Sequence, residues 1–477
     1  MSMLSTLALS HTTETDVTED FELPEYQAEV RRVVGVQCSV TRDTAFLEEN
    51  TIEVSGCVLY TVVYLTGEGG LSSLPFYTTW ETRLPLPEGQ KVSVDALHLV
   101  CEGENAVCRV TGPRKLTLSA RVKLHSLTLG DTDCTTAAPA DTVCRTEEMP
   151  VVRLHTCRGT GTVSGETGGG KVITCQGHVQ VTEVRTAPEG LVVDGEASVR
   201  FLVQGDSGAY VPVRSRMPIH ETLSCPSENS GYATASGICA ALTVTQEEDG
   251  RIRWEMEYDL EGTLCAEATA SVTTDGYCTT HPYATHFREV QAMVRGRCIR
   301  GQVTLTGEKV CTHLPEGDNG NLQFLYGWGR GSYEKAELLQ DKLVLTGRAV
   351  CTVLLTGNGD IVTEEVTLPI RYEWELPVGE APQLVSRCAF GIWDVGGHME
   401  GDTLHLHAEV GCTGVALVSV PCSYLEQLVP DESTPLPPAR PSLTLYTPDP
   451  TETVWDVQKR YRTTAVQEVG GRYVIRR

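Results

Sequence analysis

Across residues 115–124 the chain alternates strictly. Leu116, Leu118, Ala120, Val122 and Leu124 are apolar, and the residues between them are polar or charged. A period of two is the signature of a strand with one buried and one wet face. The same alternation returns at 253–260, through Trp254, Met256, Tyr258 and Leu260, and at 403–410, through Leu404, Leu406, Ala408 and Val410. Helical periodicity is scarce, while Val, Thr and Tyr abound between short glycine turns. Together these features predict an all-β fold of antiparallel β-sandwiches or open barrels. One short helix is expected at 333–339.

A longer pattern encloses the alternation. Gly56 precedes an apolar run at 57–65, a glycine-rich turn at 66–70, then Pro75, Phe76 and Glu81. Gly195 precedes a run at 197–203, a turn at 204–208, then Pro218, Ile219 and Glu221. Gly347 precedes a run at 349–355, a turn at 356–360 containing Asn358 and Gly359, then Pro369, Ile370 and Glu373. The marker glycines lie roughly 140 and 150 residues apart, a domain-sized spacing rather than that of a solenoid unit. Three related β-domains are therefore expected, at 26–130, 151–280 and 281–428. Residues 1–25 read as a flexible acidic lead-in and 131–150 as a separator. Residues 429–442, with Pro430, Pro435, Pro437, Pro438 and Pro441, read as a stiff linker to a tail at 443–477 that moves as a unit.

Charge narrows the function. Of 477 residues, 63 are acidic and 38 basic, and the net charge of -25 disfavours a nonspecific grip on nucleic acid or anionic lipid. No apolar run approaches the ~20 residues of a membrane helix, and residues 1–10 make a poor secretory leader, so a cytoplasmic protein is expected. The 18 cysteines include no Cys-x-x-Cys pair. Most, such as Cys57, Cys239, Cys351 and Cys412, fall in strand-like runs and are expected to be small buried residues.

Chemistry-bearing motifs are few. Residues 165–172 match the glycine and lysine spacing of a phosphate-binding loop, but Val172 offers no hydroxyl and a strand follows, so a hairpin turn is expected. His405, His407 and Glu409 share one face of a strand and read as solvated positions rather than metal ligands. No nucleophile elbow, zinc-protease helix or dinucleotide turn is present, so no catalytic residue, no metal site and no cofactor is assigned. Tyr64, Phe76 and Trp80 are expected to fill a core.

In the tail, a strand through Leu445 and Tyr446 leads into a helix with Val454, Val457 and Tyr461 on one side. Residues 450–464 resemble the start of a LysM module through Pro450, Thr453, Val454, Trp455, Val457, Lys459, Arg460, Tyr461, Thr463 and Thr464. Thr451 and Glu452 replace the usual glycine-aspartate, and the second helix has almost no counterpart, leaving 470–475 as a closing strand. A docking or capping element is expected. Three copies of the marker passage followed by such a tail resemble the SipL type of spore-coat morphogenetic protein, built from SPOCS domains. The resemblance implies a non-enzymatic adaptor in the mother-cell cytoplasm, at the forespore surface. It further implies contact with a polymerising coat ATPase of the stage IV sporulation protein A kind, and with other coat proteins. Trp455, Lys459, Arg460 and Tyr461 are the expected partner-binding residues. The alternative is a wall or cortex protein that binds peptidoglycan through the tail.

Overall fold

The computed structural model describes residues 2–86, 92–226, 231–247, 250–311, 322–340, 342–357, 360–376, 383–437 and 442–476. Asn358, Gly359, Pro438 and Pro441 lie outside the described residues. Strands dominate. The first six are β1 (Met3–Glu22), β2 (Val30–Glu48), β3 (Thr51–Thr66), β4 (Leu71–Pro85), β5 (Leu97–Gly112) and β6 (Lys115–Asp133). They form one sheet in the order β2-β3-β4 and a second in which β6 runs between β1 and β5. The next six are β7 (Thr142–Gly168), β8 (Lys171–Ala187), β9 (Gly190–Gln204), β10 (Tyr210–Leu223), β11 (Gly231–Gln246) and β12 (Arg251–Cys278), paired as β8-β9-β10 and β7-β12-β11. The third set is β13 (Tyr283–Val310), β14 (Gln323–Leu339), β15 (Lys342–Gly357), β16 (Asp360–Glu375), β17 (Gln383–Glu400) and β18 (Thr403–Pro430). It pairs as β14-β15-β16 and β13-β18-β17.

Each set closes two antiparallel sheets on one apolar core. In the first, Val54, Val58 and Tyr60 of β3 meet Leu118, Ala120 and Val122 of β6. In the second, Val193, Val199 and Phe201 meet Trp254, Met256 and Leu260. In the third, Ala349, Cys351 and Val353 meet Leu404, Leu406 and Val410. The alternating segments are thus the central strands of the half-wet sheets, buried at every apolar position.

The marker glycines have a steric cause. Gly56 pairs with Arg42, Gly195 with Val181 and Gly347 with Tyr333, and immediately after each partner the neighbouring strand carries a β-bulge. A Cβ on Gly56 would overlap the carbonyl oxygen of Thr41; on Gly195 it would overlap that of Gln180, and on Gly347 that of Ser332. Only glycine lets the kinked strand come this close. The register also corrects the reading of the first copy. Ile219 and Ile370 lie opposite their marker glycines, whereas Gly56 lies opposite Trp80, four residues beyond Phe76. Pro75, Pro218 and Pro369 sit on the edge strands β4, β10 and β16, where a missing N–H costs no ladder bond.

The three sets pack against one another. Val63, Leu202 and Leu354, each seven residues past its marker glycine, meet in one cluster with Val34, Ile173 and Trp328. A second cluster joins Leu127, Val152, Cys265 and Leu417. Polar contacts bind every pair of sets: Ser73 Oγ donates to Ile173 O at 2.8 Å, Thr363 Oγ1 to Val34 O at 2.7 Å, and Arg200 pairs with Asp394 at 2.9 Å.

Several expectations are overturned. Residues 1–25 are not a flexible lead-in: β1 pairs with β6 from Met3 to Glu22 and meets β13 at Thr6, joining the first and third sets in a six-stranded sheet. Its acidic residues Glu14, Asp16, Glu19, Asp20 and Glu22 are exposed, while Leu4, Ser5, Ala8, Leu9 and Val17 are buried. Residues 333–339 form the bulged end of β14, not a helix, because tertiary pairing with β15 outweighs local helix propensity. The glycines at 168–170 do not make a hairpin, since β7 pairs with β12 and β8 with β9; they turn the chain from one sheet to the other. The second set begins at Thr142, inside the expected separator, and β18 extends to Pro430, into the expected linker.

Candidate functional site

The tail folds as β19 (Leu443–Tyr446), α1 (Val454–Tyr461), β20 (Val466–Val469) and β21 (Arg472–Arg476), with β21 central in a three-stranded sheet. Thr453 caps the helix, reciprocally bonded with Asp456, and Arg462 in the left-handed region ends it. Val457, Tyr473 and Ile475 form its small core, with Val454, Tyr461 and Tyr446 packed around them.

The tail is fastened to the body, which corrects the expectation of a mobile unit. Trp455 Nε1 donates to Asp275 Oδ2 at 2.9 Å, and Lys459 Nζ bonds both carboxylate oxygens at 2.7 and 2.8 Å. The Trp455 ring packs on Tyr277 at 5.4 Å. Arg462 donates to His281 O at 3.0 Å and lies over the Tyr283 ring. Burial alone would raise the Asp275 pKa, but Lys459, Trp455 and the Gly276 N–H hold it below the usual carboxylate value. Among the residues expected to bind a partner, Trp455 and Lys459 therefore face the chain's own body. Arg460 pairs with Glu452 at 2.6 Å and stacks on Tyr446, and Tyr461 packs edge-on against the same ring. All four are brought together, as structural parts of the module and its seat. The reason is physical: a partly buried carboxylate near the end of β12 attracts the Lys459 ammonium and accepts the Trp455 indole N–H.

The module's open side lies elsewhere. On the sheet face away from α1, Leu443, Leu445 and Val469 are 70%, 61% and 55% exposed, flanked by Arg472 and Arg476. Sequence reading missed this face. Its signal was the alternation of Leu443 and Leu445 with Thr444 and Tyr446, of which Tyr446 packs against the core.

A separate feature is a cavity of about 410 Å³ where the three sets meet. Equivalent positions line it: Cys38, Gly177 and Gly329 each pair four residues past the marker glycine of the next strand, and Ser39, His178 and Arg330 follow them. Arg42 pairs with Glu261, and Arg158 reaches Glu261 at 3.4 Å and Asp259 at 3.6 Å, so ion pairs from two sets share its wall. His98 is buried, with Nδ1 3.0 Å from Thr263 Oγ1, and burial pushes its pKa down to about 4. Burial, reinforced by the Arg200 and Arg214 charges, pushes His178 down to about 3. Both rings are neutral at physiological pH. Burial raises the thiols of Cys38, Cys101, Cys175 and Cys239 to about 12, so they are poor nucleophiles. Gln37 Nε2, Gln176 Oε1 and His178 Nε2 are buried without a protein partner, which suits the wall to water or a small hydrogen-bonding solute.

His405 is engaged by Glu308 at 3.3 Å and Glu400 at 3.6 Å and stacks on His398. Tyr64, Phe76 and Trp80 are buried, and Trp80 Nε1 donates to Thr41 O at the bulge opposite Gly56. Cys239, Cys351 and Cys412 are buried, and Cys57 is half-buried. Among the described residues no helix is long and apolar enough to cross a membrane. Compared with known proteins, the chain matches no family model, no curated protein and no solved structure.

Proposed function

We propose that the chain is a non-enzymatic adaptor of spore-coat assembly. It acts in the mother-cell cytoplasm at the forespore surface, where it links the coat to a polymerising ATPase of the stage IV sporulation protein A kind and to other coat proteins. The observation that supports this best is the tail: a closed module held in a fixed pose on a large β-body, with an aliphatic and basic face turned outward in an otherwise acidic chain. A rigid mount lowers the ordering cost of binding, and an aliphatic centre with a guanidinium rim is the composition of a protein-binding hot spot. On this reading the partner contact is proposed at Leu443, Leu445, Val469, Arg472 and Arg476 in place of Trp455, Lys459, Arg460 and Tyr461.

The test is binding of the whole chain to the coat ATPase, comparing the wild type with Leu445→Ser and Arg472→Glu. Each outer-face change is expected to weaken binding by about tenfold or more, the scale of a hot-spot loss. Unchanged affinity would clear this face of a role. A wild-type chain that fails to bind the ATPase and instead sediments with purified peptidoglycan would replace the adaptor reading with that of a wall protein.

A further inference from the structure

Where the two connections between strand sets meet, three side chains of different type converge. Asp141 precedes β7, Cys278 ends β12, and His281 lies in the turn before β13. Cys278 Sγ is 3.2 Å from Asp141 Oδ2, His281 Nδ1 is 4.0 Å from the same oxygen, and the three ligand atoms all lie within 4.8 Å of one another. We propose that Asp141, Cys278 and His281 form a zinc site.

The donor set is what zinc selects. One thiolate, one imidazole and one carboxylate provide soft, borderline and hard ligands, a mixture that hard cations such as magnesium and calcium do not favour. Around a tetrahedral zinc, bonds of about 2.0–2.3 Å place neighbouring ligand atoms roughly 3.3–3.8 Å apart. The Sγ–Oδ2 edge is already close to that length. Nδ1 lies 2.7 Å from Thr280 Oγ1, and a rotation of the His281 ring toward the other two ligands would shorten the two remaining edges, 4.0 Å to Asp141 Oδ2 and within 4.8 Å to Cys278 Sγ. Three protein ligands leave a fourth position for water.

The backbone beneath is already fixed. Thr279 donates to Asp141 O through both its N–H and its Oγ1, at 3.1 and 3.0 Å, so the aspartate and the Cys-x-x-His turn are locked together without metal. The same turn seats the tail and the segment that leads to it: Arg462 of the tail donates to His281 O, and in the preceding segment Leu436 N donates to Thr280 O at 2.8 Å and Asp431 N to Pro282 O at 2.7 Å. Zinc binding therefore stiffens the platform on which the module rests, and does so whether or not the module binds a coat ATPase. The cation replaces the thiol proton, which is released to solvent, and no redox change is involved.

The experiment uses the full chain, stripped with a chelator and dialysed, then titrated with zinc and separately with cobalt(II). The expected result is about one equivalent bound per chain, with the visible bands of tetrahedral cobalt and a thiolate-to-cobalt charge-transfer band. Cys278→Ser should abolish the charge-transfer band, and His281→Gln should weaken zinc binding by tenfold or more, at least the scale on which outer-shell changes act. Cys278 is buried, so the half-exposed His281 and Asp141→Asn provide variants that do not disturb the core. Zinc should also slow amide exchange across α1 in the wild type and not in His281→Gln. Absence of stoichiometric uptake, or cobalt spectra and zinc affinity unchanged in both His281→Gln and Asp141→Asn, would overturn the site.

Discussion

A Cβ placed on Gly56 has nowhere to go, because Thr41 O and the Trp80 indole already fill the space. Gly56→Ala is expected to destabilise the protein by roughly 2 kcal/mol, the usual cost of overpacking. Gly195→Ala and Gly347→Ala should behave similarly. Gly67 in the neighbouring turn has open space around its Cβ position, and Gly67→Ala should change stability by no more than about 0.5 kcal/mol in denaturant titrations. Equal losses at Gly56 and Gly67 would refute the steric account. Two histidines of the central cavity, His98 buried and His178 half-buried, set a second residue-scale property. His98 and His178 have folded pKa values of about 4 and about 3, below the ordinary value of 6.5, so the unfolded chain binds more protons between those limits. Their contribution is complete above pH 6.5 and is lost as pH falls toward the folded values. The slope is about 1.4 kcal/mol per pH unit for each ring. Replacing His178 with Gln should flatten the acid limb of the stability curve by one such slope; an unchanged limb would show that the ring is hydrated.

At the scale of elements, the tail's seat depends on one carboxylate. A double-mutant cycle on Asp275→Asn and Lys459→Ala should give a coupling of about 1–2 kcal/mol, because the pair is partly shielded and doubly hydrogen-bonded. Hydrogen exchange across α1 should rise in either variant, and additive effects would mean that Trp455 and Arg462 hold the tail alone. The helix itself was legible in the sequence, since Val454, Val457 and Tyr461 pack as their spacing predicts. Its orientation was not: a one-dimensional pattern cannot tell an aromatic and basic pair that binds a partner from one that binds Asp275, 180 positions or more away. Residues 333–339 failed for the opposite reason, because good helix formers yielded to a ladder with β15 that lies later in the chain.

At the scale of the whole molecule, the strand sets are mutually dependent. Val63, Leu202 and Leu354 are each completely buried, and each is covered by residues of the other two sets. Removal of residues 2–22 would expose the long inner edge of β6 and part β13 from the first set. The shortened chain is expected to aggregate or to lose its cooperative thermal transition; a soluble product with the wild-type midpoint would show that β1 is dispensable. The sequence carried a trace of this assembly. At 62–64, 201–203 and 353–355 the alternation gives way to three consecutive apolar residues, the pattern of a strand buried on both faces. Read as a core run, it concealed the contact between sets.

What the sequence by itself determined is local and periodic: the strands, their wet and dry faces, the glycines that admit a bulge, and the recurrence of the pattern. These follow from side-chain alternation and backbone sterics, which act over a few residues. Only the tertiary structure decided that the acidic first segment is a strand, that three sets close on shared clusters, that Lys459 turns inward to Asp275, and that Asp141 comes to lie beside Cys278 and His281. Each depends on contacts between residues more than ninety positions apart, where burial and charge pairing settle the outcome and no local period records it.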